Sequence, residues 1–252
     1  MEVQNFTFQF NRDNLKQIIT ALKELNVIDS MIKMKLDNEH VLFYSKAGTG
    51  NNIHALKSFI FPIEDFIIAD EYINIDFIIL NGGNFVKNLE LFLTKETDII
   101  GKLQFKPKDK IASMLHITDG KLKFNFVTGD YKQIKDISKL DIENKMNPDL
   151  ANFSFELTNE DFKDIKKLIG LNKSEIVSIR VKKGKLEFFD TRWSIHICDL
   201  PTVDDEAWSF SNKYIKSING SNQINIHMFD QFLLFKEDNV ALMIGLELSE
   251  LH

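Results

Sequence analysis

Seven lysines and one arginine carry the most suggestive chemistry in this sequence. They are Arg12, Lys16 and Lys23 near the start, Lys87 further on, and Lys163, Lys166, Lys167 and Lys173 in the second half. Such groups suit the neutralisation of phosphates, a contact that is salt-sensitive and indifferent to base sequence. At about 100° per residue, Arg12, Lys16 and Lys23 fall within roughly 40° of one another on a helix. Lys163 and Lys167 make a similar stripe, with Lys166 and Lys173 close by. A lysine stripe is ordinarily the solvated flank of an amphipathic helix. Here the stripes recur at duplicated positions, in a chain whose formal net charge is −6. A protein that bound nucleic acid over its whole surface would be basic. Any such contact must therefore come from a local basic face on an acidic body.

The elements that position these residues are legible in Phe153–Asp190. Phe153, Phe155 and Leu157 alternate with polar residues, as in a strand. Thr158 opens an amphipathic helix, with Asp161 three residues on to complete a capping box. Gly184 marks a turn between two further strands. The same order occurs 147 residues earlier, where FTFQFNRDNLKQI (Phe6–Ile18) answers FSFELTNEDFKDI (Phe153–Ile165). Leu15, Ile18 and Leu22 match Phe162, Ile165 and Ile169, and Lys16 matches Lys163. Ile32–Lys35 matches Ile179–Lys182 at the same offset. A constant offset across strand, helix and strand predicts a duplicated domain, whereas a period of about 20–50 residues would indicate a solenoid.

Elsewhere the pattern predicts a helix from Asn11 or Asp13 to about Asn26, and strands at 31–36, 40–45, 54–61 and 72–80. Residues 47–52 read as a flexible loop. A second helix spans 85–93, followed by strands at 99–105, 112–117 and 121–127, the last two joined at Asp119–Gly120. Periodicity is lost over 136–150. The second half continues with a strand at 193–198, an acidic loop through Glu206, strands at 214–218 and 223–227, a short helix at 228–235 and one strand at 240–248. The expected fold class is α+β, with antiparallel sheets and helices on one face. The expected domains are 1–137 and 153–252, joined by a connector at 138–152.

Composition narrows the function classes. The 252 residues are 44% hydrophobic, with 22 Phe against 2 Trp, enough for two substantial cores. Cys198 is the single cysteine, which fits a reducing compartment, and no signal peptide or membrane span is expected. No Walker, Rossmann or nucleophile-elbow motif occurs. The six histidines lack metal-site spacing; His196 and Cys198 share a strand face but read as ordinary strand residues. Asp204, Asp205 and Glu206 form one loop run, not carboxylates converging from separate elements.

A duplicated strand–helix–hairpin domain, acidic overall with lysines on its helices, resembles the DNA sliding clamps. It is most similar to the trimeric clamps of T-even-type bacteriophages. The resemblance runs through FSFELTNEDFKDIKKLIGLNKSEIVSIRVKKGKLEFF, continues through Leu80–Asn81–Gly82 with the helix after it, and through Ile224–Met243. It implies a homotrimeric ring of six domains, sheets outside and helices lining a hole. Arg12, Lys16, Lys23, Lys87, Lys163, Lys166, Lys167 and Lys173 would then serve duplex DNA. It implies partners, namely double-stranded DNA, a DNA polymerase and a clamp loader, in the cytoplasm of the cell or host. It implies no catalytic residue, metal or cofactor. Partner tails would dock beside the connector, where Met146, Pro148 and Leu150 lie. The expected last helix, 228–235, carries no Lys or Arg, and a single strand after it would make the second domain short. The alternative reading is a two-domain structural or regulatory interaction module that does not bind DNA.

Overall fold

The computed structural model describes residues 5–49, 52–69, 75–105, 112–130, 134, 147–218, 223–237 and 239–248. The chain forms two compact units. The first comprises Met1–Lys46 and Lys57–Ile137, the second Ala47–Leu56 and Ser138–His252.

The first unit begins with β1 (Asn5–Phe10) and α1 (Leu15–Ile28). The antiparallel strands β2 (Ile32–Leu36), β3 (His40–Thr49) and β4 (Asn52–Pro62) follow. A one-turn α2 (Ile63–Phe66), β5 (Ile67–Ala69) and β6 (Ile75–Ile79) lead into α3 (Gly82–Glu90). A meander of β7 (Ile99–Phe105), β8 (Ala112–Thr118) and β9 (Lys123–Gly129) completes it. The strand order is β4-β3-β2-β6-β9-β8-β7-β1-β5. Alternation turns Phe6, Phe8 and Phe10 of β1 inward, with Phe8 and Phe10 edge to face at 5.2 Å. Opposite Phe8 stands Gly101, where even a methyl group would come within 2.3 Å of the ring. Leu15, Ile18, Leu22 and Leu25 of α1 are buried, as the apolar stripe requires.

The second unit repeats the scheme. It has β10 (Phe153–Leu157), α4 (Asn159–Asn172), β11 (Ile176–Lys182), β12 (Lys185–Phe189), β13 (Ser194–Asp199) and β14 (Glu206–Ser211). A single 3-10 turn, Ile215–Ser217, precedes β15 (Ile224–Met228), β16 (Phe232–Glu237), β17 (Val240–Gly245) and β18 (Glu247–Leu248). One sheet runs β10-β15-β16-β17 and then the β4 segment belonging to this unit; the other runs β13-β12-β11-β14-β18. Phe153 meets Trp208 at 5.8 Å and Phe155 meets Phe188 at 6.2 Å, so aromatic rings fill the space between the sheets.

The pairing is duplicated with the elements. β1 pairs with β7 as β10 pairs with β15. β2 lies between β3 and β6 as β11 lies between β12 and β14. All the register-resolved pairings are antiparallel, as α+β predicted.

Several expectations are corrected. The first helix begins at Leu15, after a turn at 12–14 in which Asn11 accepts the Asp13 amide and the Arg12 carbonyl accepts the Leu15 amide. α3 starts earlier than expected, since the Asn81 side chain accepts from the Asn84 amide and holds Gly82 and Gly83 in the helix. Residues 47–49 continue β3, and Asn52 already belongs to β4. The expected strand at 214–218 is the 3-10 turn. The expected helix at 228–235 is a hairpin. Phe229 and Phe232 stack at 4.2 Å across its tip, and Phe229 donates to the Phe232 carbonyl. The acidic loop ends in a strand the periodicity did not predict, β14. The last strand is two, β17 and β18. The second repeat is therefore not short of strands; among the described residues it lacks a second helix. The connector residues 138–146 lie outside the described residues, and Pro148–Leu150 form one 3-10 turn. Among the described residues no helix is long and apolar enough to cross a membrane.

Candidate nucleic-acid interface

In the first unit the predicted cations divide by what they touch. Arg12 stands in the turn before α1, off the helix, and its Nη1 donates to the Thr97 carbonyl at 2.6 Å. Lys16 is exposed in the first turn of α1. Lys23 reaches from α1 to α3, its Nζ 2.6 Å from Glu90. Their side chains are 55% and 37% exposed, so water screens the pair and it contributes about 0–1 kcal/mol. A phosphate could therefore displace Glu90 at little cost. Lys87 is exposed in the last turn of α3. Lys33 and Lys57 are buried instead, Lys57 against Glu24 of α1 and Lys33 3.6 Å from Asp76. They belong to the interior.

In the second unit the capping box forms as the spacing predicted, with Thr158 and Asp161 each satisfying the other's backbone amide. This fixes the start of α4 and hence the azimuth of its lysines. Lys163 and Lys167 are exposed, and neither makes an ion pair among the described residues. Lys166 is half-buried. Its Nζ sits 4.6 Å from the Phe162 ring centroid and donates to the Ile218 carbonyl. Lys173 ends the helix in the left-handed conformation, φ 50°, with its side chain exposed. Two exposed lysines escaped sequence reasoning, Lys213 and Lys216. They flank and occupy the 3-10 turn standing where the first repeat has α3, a place misassigned to a strand.

The other candidates are scattered. Pro148 is half-buried, Leu150 is 66% exposed, and Met146 lies outside the described residues. His196 Nε2 is 3.5 Å from Asp199 on β13. Burial, reinforced by the charge of Asp199, pushes the Cys198 thiol up, which keeps it protonated and unreactive. Asp205 accepts the Lys183 amide at 2.7 Å and so stabilises a hairpin turn. Asp190 is partly buried, which raises its pKa, but the Ser174 hydroxyl and the amides of Arg192 and Trp193 outweigh this and hold it low. Among the described residues no three His, Cys, Asp or Glu side chains gather to hold a metal.

Comparison with solved structures fixes the frame in which these cations stand. The chain matches over its whole length the Pseudomonas aeruginosa DnaN sliding clamp, DNA polymerase III subunit β, with a TM-score of 0.64 at 9% identity. It matches a Helicobacter pylori β clamp with a TM-score of 0.67 at 13% identity over 99% of this chain. A Streptococcus pneumoniae DNA polymerase III β chain gives 0.62 at 15% over 98%. This chain has the sliding-clamp fold. It spans 66% of the length of each of these three clamps, just under two thirds. No protein-family model matches the sequence, and no curated protein does. On that fold the repeated helices α1 and α4 are corresponding elements, and each carries exposed lysine at the duplicated position, Lys16 and Lys163.

Proposed function

We propose that this chain is the subunit of a sliding clamp, a ring that encircles duplex DNA and tethers a replicative DNA polymerase, giving processive replication. The observation that carries this reading is the clamp fold, matched over the whole of this chain, with exposed lysines on its duplicated helices. The ring retains DNA by topology, so individual phosphate contacts stay weak and mobile. The whole chain has a formal net charge of −6, so the surface outside the lysine stripes is acidic and repels DNA. The leading phosphate contacts are Lys16, Lys87, Lys163 and Lys167. Arg12, Lys23 and Lys173 are accessory, and Lys166 is taken up below.

The finer reading is a homotrimer of the T-even bacteriophage type, opened by an ATP-dependent clamp loader in the cytoplasm of the host, with domains at 1–137 and 153–252 and a connector at 138–152. Two units per chain and three chains give six domains. The duplication supports a head-to-tail closure. In the second unit β17 has β4 as its outer neighbour. The strands holding the matching places are β9 in the first repeat and β13 in the second. β13 pairs with β12 alone among the described residues, and β9 is paired on its outer side only at Thr128 and Gly129. Val127 beside that open edge is 63% exposed. β9 of one copy laid along β13 of the next would be a head-to-tail strand addition, the kind of contact that closes a ring when its rotation divides the circle. Partner tails would dock at Met146, Pro148 and Leu150. The Helicobacter pylori clamp has been solved with a DNA ligase peptide bound, which supports peptide capture by this fold.

The test is the mass in solution across a concentration series, followed by polymerase stimulation. A 29.2 kDa subunit rising to about three times that mass, and loss of stimulation on replacing Lys163 and Lys167 by Gln, are expected. A monomer at every concentration with no stimulation overturns the clamp reading in favour of a two-domain interaction module.

A further inference from the structure

Position 166 carries a lysine where the first repeat carries Ile19, 147 residues earlier. Ile19 is 3% exposed. On α1 it lies between Lys23 and Asn26 by the 100° step, within roughly 40° of each. Both of those residues meet α3: Lys23 pairs with Glu90, and Asn26 lies against Gly82 and Gly83. Position 19 thus belongs to the flank of α1 that the second helix covers. In the second repeat that helix is reduced to Ile215–Ser217. The ring of Phe162 and the carbonyl of Ile218 then receive the Lys166 ammonium, which spans from α4 to the end of the turn. The 3-10 turn buries Tyr214, Ile215 and Ile218. Its backbone bonds are Ser217 to Tyr214 and Ile218 to Ile215, and a helical carbonyl left over at such an end needs a donor.

We infer that Lys166 is a positioning residue that pins the 214–218 turn to α4, and that the turn in exchange presents Lys216 to the phosphates beside Lys163 and Lys167. The Lys216 half of this rests on the clamp reading; the Lys166 half does not. An ammonium spent on a carbonyl and an aromatic ring adds little to counterion release, whereas an exposed lysine adds nearly a full unit. Lys216 is exposed, as Lys87 is on α3.

The experiment compares Lys163→Gln/Lys167→Gln, Lys216→Gln, Lys166→Met and Lys166→Arg in the full chain. Two quantities are read: the slope of log K against log salt for a fluorescent linear duplex, and amide hydrogen exchange at 214–218. The double variant should flatten the slope by about 1.8 and Lys216→Gln by about 0.9. Lys166→Met should leave the slope within about 0.3 of wild type while exchange at Ser217 and Ile218 speeds up roughly tenfold, and Lys166→Arg, which keeps a donor, should restore slow exchange. A drop of about 0.9 in slope for Lys166→Met with unchanged exchange overturns the assignment of Lys166. An unchanged slope for Lys216→Gln beside a flattened one for the double variant overturns the assignment of Lys216. An unchanged slope for the double variant overturns the DNA reading itself and Lys216 with it, and the exchange data still decide Lys166.

Discussion

The two repeats differ most where each passes from its central strand to its meander. After β6 the first repeat inserts α3, capped by Asn81 and packed by Phe85, Leu89 and Phe92. Phe85 meets Phe126 at 4.8 Å and Phe92 meets Phe124 at 5.6 Å, both edge to face. After β14 the second repeat makes one 3-10 turn, held by Tyr214, Ile215 and Ile218. The same fold tolerates both because the strands on either side keep their pairing. A helix that brings its own aromatic anchors can be long. A turn with the single aromatic Tyr214 stays short and takes a donor from the neighbouring helix.

The largest test of this contrast is Phe92→Ala. The ring is fully buried beyond the end of α3, so its removal should cost about 3–5 kcal/mol in urea unfolding. A loss under about 1 kcal/mol would mean that α3 is held by something other than its aromatic anchors. Next is the start of the first helix in each repeat. α4 has a complete capping box, whereas Asn14 before α1 donates its side-chain amide to the Asp65 carbonyl and caps nothing. Thr158→Ala should therefore lower stability by about 1 kcal/mol, read as a shift in the urea midpoint at constant m.

The third test concerns the partner position of Lys23, which is Gly170 in the second repeat. Among the described residues there is no second helix to reach for, so no side chain is needed there, and no atom beyond the helix's own backbone lies within 4 Å of where a Cβ would be. Gly170→Ala should raise stability by about 0.5–1 kcal/mol through helix propensity, visible as a higher thermal midpoint. A decrease would show that the site is occupied after all.

The smallest effect is a pH slope. Burial, then the charge of Lys236, holds His227 on β15 below the ordinary imidazole range, and its Nδ1 lies 2.8 Å from the Ser154 hydroxyl. The register place of this pair in the first repeat is taken by Lys102 opposite Thr7, so that repeat has no histidine there. The unfolded chain takes up the proton at His227 before the folded chain does. Stability should accordingly fall as pH drops below about 6.5, until the folded histidine also protonates. His227→Asn should flatten that slope, measured by urea unfolding at pH 7.5 and 5.5.

The repeated half of the fold was legible because its signals are local. Phe6–Phe10 and Phe153–Leu157 alternate, α1 and α4 carry clean apolar stripes, and Thr158 with Asp161 announces a cap. What escaped was set by contacts distant in sequence. Ala207 and Trp208 of β14 are both buried in succession, which breaks the period of two. Met228, Phe229, Phe232 and Leu233 fall at helical spacing, yet Asp230 and Gln231 form the tip of a hairpin. Tyr214, Ile215 and Ile218 are residue types favoured in strands, but they turn once. The lysines of the candidate interface were visible as residue types. Their division was not, because the groups that engage them lie far away in the chain: Thr97 for Arg12, Glu90 for Lys23 and Ile218 for Lys166.

The closing pairs of the two repeats bear on how the chain finds this structure. Phe8 meets Gly101 across 93 residues, and Phe155 meets Ile226 across 71. Each repeat is thus sealed by its first strand joining a strand that arrives long after it, a topology that folds slowly. The two closures nevertheless differ by only about 0.2 kcal/mol in chain entropy, since that cost grows with the logarithm of loop length. Lengthening one repeat by a whole helix is nearly neutral at the moment of sealing. Its penalty falls on the time for which β1 waits, with three phenylalanines uncovered, for its partner to be made.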